Sequence, residues 1–353
     1  GTHTGWEGRF ISDPFVARIC PTCRDAGRHF LYPDTYLDGI GEGAVRCATC
    51  HSEVIPFHMV EGYTMVFDEA KEIGVTVSPE RAEQLARNAR EWVVLQEHAR
   101  QHPIVALAKA DLVGVMTRVR VSAGNLGSIP AIDLPSSHNC GDFGAFLVGA
   151  EHEFAVTEEQ LELRTDVHMD IDSVREGATL IVPVKVDGAG IYAGDVHAMI
   201  GDGEVAVHTT DISARVVVRV EVIKGLALDG PILLPPVEDL PFLARPFTKT
   251  EVDRAMALAM EHATKLEGPV LPIQVLGSGP FINAAVDNGV ERAAKLLGMS
   301  VDEVKNRATI SGAVEIGRLP GFVQINLLVP RDRLERLGIL HLVEARYGQP
   351  EGW

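Results

Sequence analysis

The chain contains no uninterrupted apolar run long enough to cross a bilayer, although 46% of its 353 residues are hydrophobic. Positive charge is scarce: 32 Lys and Arg stand against 49 Asp and Glu, a formal net charge of −17. Nucleic acid and anionic membranes select basic faces, so neither is expected as a partner. No Gly-x-Ser-x-Gly nucleophile elbow occurs, and no Ser-Lys or Cys-centred nucleophile pattern stands out. No βαβ alternation is visible, which argues against a doubly wound fold. Internal repeats and low-complexity tracts are also missing. The chain opens Gly-Thr-His-Thr, without an initiator Met or a signal-like apolar core, and the expectation is a cytoplasmic protein.

Cysteine is present but sparing. Four of the five form two knuckles, Cys20-Pro-Thr-Cys23 and Cys47-Ala-Thr-Cys50. Each knuckle lets two thiolates reach one ion, and two knuckles complete a tetrahedral zinc shell. A closed four-thiolate shell leaves no position for water, so this zinc is expected to be structural. Disulfides would need an oxidising compartment, for which nothing in the sequence argues. A redox CxxC usually opens a helix, which fits two knuckles at ribbon spacing less well.

The remaining chain divides by composition. Residues 1–77 read as a zinc-ribbon-like N-terminal region and 78–110 as a helical connection opened by Ser78-Pro79. His98 and His102 lie four apart on that helix, but without an adjacent Glu they read as a solvated face. Residues 111–240 read as a β-rich core, with strands at Leu112–Val121, Ala178–Val186, Val205–Val207 and Ser213–Ile223. Within 241–353, an α/β region, helices are expected at about 251–266 (capped by Thr250), at about 282–297 (ending at Gly298) and briefly after Ser300. Strands follow near 308–316 and 322–329. The Pro-rich stretch Leu226–Pro246 reads as a linker. The fold class expected is α+β, mainly β: a sandwich- or barrel-like strand core with peripheral helices.

The densest chemistry lies in Gly194–Glu204, GDVHAMIGDGE. Asp195, His197, Asp202 and Glu204 fall in one short segment punctuated by glycines, which permit the tight turns that aim side chains inward. Carboxylates and an imidazole between strands could build a hydrolytic metal site. The plainer reading is a polar hairpin whose acids accept backbone N–H bonds.

This segment resembles the GDxHAxxGDGE motif of the acetamidase/formamidase family. Upstream, Val167–Leu180 resembles that family's GGNMD-x-x-x-L-x-x-G-[ST]-x-L, with Asp170 at the motif aspartate and Val167-His168 where Gly-Asn is usual. Ala308–Pro330 resembles the family's last strand pair less specifically. The likeness covers about residues 120–335; residues 1–110 do not match the family's usual N-terminal half.

The resemblance implies hydrolysis of a short-chain or cyclic carboxamide. A metal-bound water would supply the nucleophile, because no side-chain nucleophile stands out. It points to Asp170, Asp195 and His197 as ligands of a divalent ion, with zinc expected and manganese or calcium compatible. Glu204 is implied as general base and later acid, or else as a fourth ligand. Asp202 could instead hold the turn through backbone N–H groups. In Ser136–Gly144, which resembles a segment near the active site, His138 is a candidate ligand or proton donor and Asp142 a further ligand. Cys140 could be a nucleophile beside His138, though a lone Cys beside Gly is more often a small buried residue. His168 could add a ligand or line the pocket. A small amide substrate and a homo-oligomer are expected. A non-catalytic scaffold, or a subunit docked to a partner chain through its zinc ribbon, is the alternative.

Overall fold

The computed structural model describes residues 36–37, 46–47, 65–78, 80–81, 112–131, 166–205, 209–210, 212, 214–279, 281–319 and 321–353. Its strands are β1 (Tyr36–Leu37), β2 (Arg46–Cys47), β3 (Met65–Phe67), β4 (Ile73–Thr76), β5 (Met116–Arg118), β6 (Ser122–Ser128), β7 (Thr179–Ile181), β8 (Ile191–His197), β9 (Ile232–Leu234), β10 (Val270–Ser278), β11 (Gly312–Ile316) and β12 (Phe322–Pro330). The helices are α1 (Lys249–Glu261), α2 (Ile282–Leu297), α3 (Val301–Ser311), α4 (Arg331–Arg336) and α5 (Leu340–Tyr347).

The largest sheet is antiparallel, in the order β11-β12-β10-β9-β7. Every residue of β12 is buried, as expected of a strand covered on both faces. On one face Ile232, Ile273, Val275, Val323, Ile325 and Leu327 pack with Ala285, Val290, Ala293 and Leu297 of α2. Helix and sheet approach so closely that a side chain at Gly277 would collide with the Ala285 carbonyl and Gly289. On the other face Leu233, Leu276 and Phe322 pack against Met169, Ile171, Val174 and Ala123. The second apolar layer therefore belongs to the segment carrying the resemblance. Buried Gln274 donates from Nε2 to Asn326 Oδ1 (2.7 Å), and Asn326 Nδ2 donates to Glu315 Oε2 (3.0 Å).

The core is thus mainly β with several antiparallel sheets, but among the described residues none closes into a barrel. The barrel-like alternative is corrected: the smaller sheets are β3-β4-β5, β6-β8 and β1-β2. The stretch read as a linker contains β9, all three residues of which are buried between β7 and β10. Pro231 and Pro235 bracket this apolar triplet, punctuating the chain where it enters and leaves the ladder. Residues 214–223, expected as a strand, are assigned to no sheet, and several of their valines are exposed.

Helix ends follow capping chemistry. Thr248, not Thr250, caps α1 in a reciprocal capping box with Glu251. Gly298 ends α2 in the left-handed conformation, and Ser300 Oγ accepts from Glu303 N at the start of α3. Helix α3 runs to Ser311, so the expected 308–316 strand begins only at Gly312. Ser78 Oγ accepts from Arg81 N; the helix expected beyond Arg81 lies outside the described residues. The described part of the N-terminal region includes the antiparallel pair β1-β2, with Tyr36 opposite Cys47. Cys20, Cys23 and Cys50 lie outside the described residues. No described helix is long and apolar enough to cross a membrane.

Candidate metal centre

The centre is assembled on β6. Strand β8 pairs with it antiparallel, placing Ser122 opposite His197 and Asn125 opposite Gly194. Its other side receives the 167–175 segment: Asn125 bridges His168, Leu126 N donates to Val167 O, and Ala123 N donates to Val174 O. The Gly124 carbonyl accepts from both Met169 N (2.9 Å) and Asp170 N (3.2 Å). A buried ion pair fixes the start of this segment to the main sheet and α2. Asp166 accepts from Arg292 Nη2 at 2.6 Å and from Ser278 Oγ at 2.8 Å. Glu204 arrives by a longer route. Its turn, closed by Glu204 N to Gly201 O, bridges Gly203 to Arg318, and Arg318 N donates to the Met169 carbonyl.

The result is a compact set of candidate ligand atoms. Asp170, Asp195 and His197 offer one group within metal-binding reach, and His168, Asp170 and Glu204 offer a second. His168 Nε2 lies 2.7 Å from Asp170 Oδ2 and 3.2 Å from Asp195 Oδ2. His197 Nε2 lies 3.3 Å from Asp170 Oδ1 and 3.8 Å from Asp195 Oδ2. Asn125 Nδ2 donates to Asp195 Oδ2 at 3.1 Å and orients it. Asp170 Oδ2 and Asp195 Oδ1 are buried and accept no hydrogen bond, although polar neighbours surround them. Ligands about 2.1 Å from a common ion lie roughly 3.0–3.4 Å from one another, close to these separations. The donor set, two imidazoles and three carboxylates, fits a divalent ion of the zinc or manganese type.

Two features show that the backbone is shaped around this cluster. Asp170, Asp195 and Glu204 all adopt positive φ, at 47°, 56° and 39°. Non-glycine residues avoid this region, and its use at three clustered acids marks stored strain of the kind found at sites. Between them lies Gly124, where a Cβ would collide with Asp170 Oδ1 and His197 Nε2 and crowd Asp195 Oδ2. Electrostatics complete the picture. Burial acts to raise the Asp170 carboxyl, but the His168 and His197 imidazoles outweigh it and hold it below its ordinary value. Burial, then the neighbouring Asp170 charge, pushes Glu204 up to about 9. Two adjacent acids are thus pushed in opposite directions by their surroundings.

The structure thus brings Asp170, Asp195, His197 and Glu204 together and adds His168. Asp202 is not in the cluster; it is exposed, within electrostatic reach of Arg120, Asp172 and Glu315. His138, Cys140 and Asp142 lie outside the described residues. Sequence reasoning missed Gly124, Asn125 and Arg318. A glycine within a strand is a local signal of close approach for Gly124 alone. Arg318 carries no local signal.

The sequence profile described as the Acetamidase/Formamidase family matches residues 49–336. The chain belongs to the acetamidase/formamidase family. No curated protein matches it. Among solved structures, a predicted acetamidase/formamidase from Thermoanaerobacter tengcongensis is 23% identical, with 64% of this chain and 58% of that one covered and a TM-score of 0.42. An acetamidase from Yersinia enterocolitica is 15% identical (63% and 51% covered, TM-score 0.38). One from Bacillus halodurans is 17% identical (65% and 60% covered, TM-score 0.35). The chain therefore spans between about half and three fifths of the length of these family structures.

Proposed function

We propose that this chain is a metal-dependent amidase that converts a small linear or cyclic carboxamide and water to a carboxylate and an amine or ammonia. The observation that carries the reading is the convergence of Asp170, Asp195, His197 and Glu204, from two separate family motifs, on one buried cluster. Amides resist hydrolysis because nitrogen donates into the carbonyl and leaves poorly. A bound divalent ion, with zinc expected, supplies an acidified water and a polarised carbonyl. Asp170, Asp195 and His197 hold that ion, and Asn125 orients Asp195 through its amide. Glu204, whose carboxyl lies within reach of Asp170 and His168, takes the proton released by water and passes it to the departing nitrogen.

Two further parts complete the reading. Cys20, Cys23, Cys47 and Cys50 bind a structural zinc, supported by their spacing. The working unit is a homo-oligomer, which the family membership supports.

The decisive experiment loads the metal-depleted full chain with Zn2+ and follows ammonia release from formamide and acetamide and ring opening of a small lactam. Glu204→Gln is expected to bind metal, to fold as the parent does and to lose roughly 10²–10⁴ in rate. Parent-like turnover in that variant removes the proton role. A parent chain that binds metal but hydrolyses none of these amides removes the amidase reading and leaves a metal-binding scaffold.

A further inference from the structure

We propose that the centre holds two divalent ions, with Asp170 as the carboxylate shared between them and His168 as a ligand of the second. The proposal rests on the metal reading above and adds a site to it. Its first support is the disposition of Asp170: Oδ1 faces His197 Nε2 at 3.3 Å, and Oδ2 faces His168 Nε2 at 2.7 Å. The two candidate ligand groups, Asp170 with Asp195 and His197 and Asp170 with His168 and Glu204, have only Asp170 in common. Shared carboxylates of this kind hold ions about 3.5–4 Å apart in paired-ion hydrolases.

The second support is an unmet bonding demand. Asp170 is buried, yet its Oδ2 accepts no hydrogen bond despite the short approach of the His168 ring nitrogen. The Oδ2 atom therefore keeps acceptor capacity for a cation bound beside the His168 imidazole. Arg318 does not fill that role: its Nε is 4.0 Å from Oδ2 and donates instead to the His168 carbonyl.

Mn2+ suits carboxylate and imidazole ligands better than thiolates, so it counts this centre without the cysteine knuckles. The metal-depleted full chain is titrated with Mn2+ and followed by electron paramagnetic resonance and by bound-metal analysis. The expected result is two Mn2+ per chain, with an exchange-coupled signal replacing the six-line spectrum of an isolated ion as the second binds. His168→Asn is expected to bind one ion and keep the six-line spectrum. Saturation of the parent at one uncoupled ion overturns the pair but leaves the single-metal reading standing. No bound Mn2+ in the parent overturns both. Two coupled ions in His168→Asn overturn the role of His168. The parent titration decides the ion count even if the variant does not fold.

Discussion

Gly124 shows how little room the cluster leaves. Carboxylate oxygens of Asp170 and Asp195 and the His197 ring nitrogen occupy the space that a side chain at position 124 would take. Three acids around it hold left-handed backbone, which costs on the order of 1–3 kcal/mol each and persists only where the surroundings over-determine it. Gly124→Ala should therefore displace ligand atoms without disturbing the core behind them. The expected outcome is roughly 10–100-fold weaker metal binding, the range seen when ligand-supporting groups are lost. Chelator competition measures it, with a circular dichroism spectrum like the parent's as the control. Affinity equal to the parent's would show that the cluster tolerates what the geometry forbids. At this scale the motif aspartates, His197 and Glu204 were legible because they lie within short glycine-punctuated stretches. Gly124 gave only the hint of a glycine in a strand, and Asn125 and Arg318 gave none, since each acts on a partner at least 45 residues away in sequence (Gly124 on Asp170, Asn125 on Asp195, Arg318 on His168).

Among the elements, helices were read more accurately than strands. Their ends are decided locally: Gly298 supplies the left-handed residue after α2, and Ser300 satisfies an orphan N–H of α3. Even the shift from Thr250 to Thr248 is local, because only Thr248 has Glu three residues on to complete the box. Strand β9 was misread because a buried apolar triplet between prolines has no periodicity of its own; its pairing with β7 and β10 defines it. The same sheet yields a pH prediction. Burial, and the charges of Asp202, Asp172 and Asp239 against the opposing Asn326 hydrogen bond, push Glu315 from its ordinary 4.5 up to about 7. The folded state then binds this proton more tightly than the unfolded state. The contribution is favourable at low pH and is lost as pH rises from about 4.5 through about 7. Glu315→Gln keeps an acceptor for Asn326 and should stabilise the protein by about 1 kcal/mol at pH 8, a value discounted for partial exposure. The gain should vanish near pH 4. Urea unfolding at both pH values measures it, and equal effects at both would reject the shift.

For the whole molecule, the N-terminal region and the oligomer are the open tests. Metal analysis of the full chain should find one zinc per chain that disappears in the Cys20/Cys23/Cys47/Cys50→Ser protein, with stability reduced. Unchanged zinc content would reject the four-cysteine site. The sequence by itself determined the family, the acid-and-histidine motifs and most helix ends. Each depends on residues close along the chain, where capping, turn chemistry and motif spacing act directly. The tertiary structure alone decided which acids face one another. Folding laid the 167–175 segment along β6 and docked the Gly203 turn beside Arg318. It sent Glu204 into the cluster while Asp202, two residues earlier, stays exposed outside it. That choice turns on backbone dihedrals and on contacts between segments more than a hundred residues apart, which no local pattern encodes.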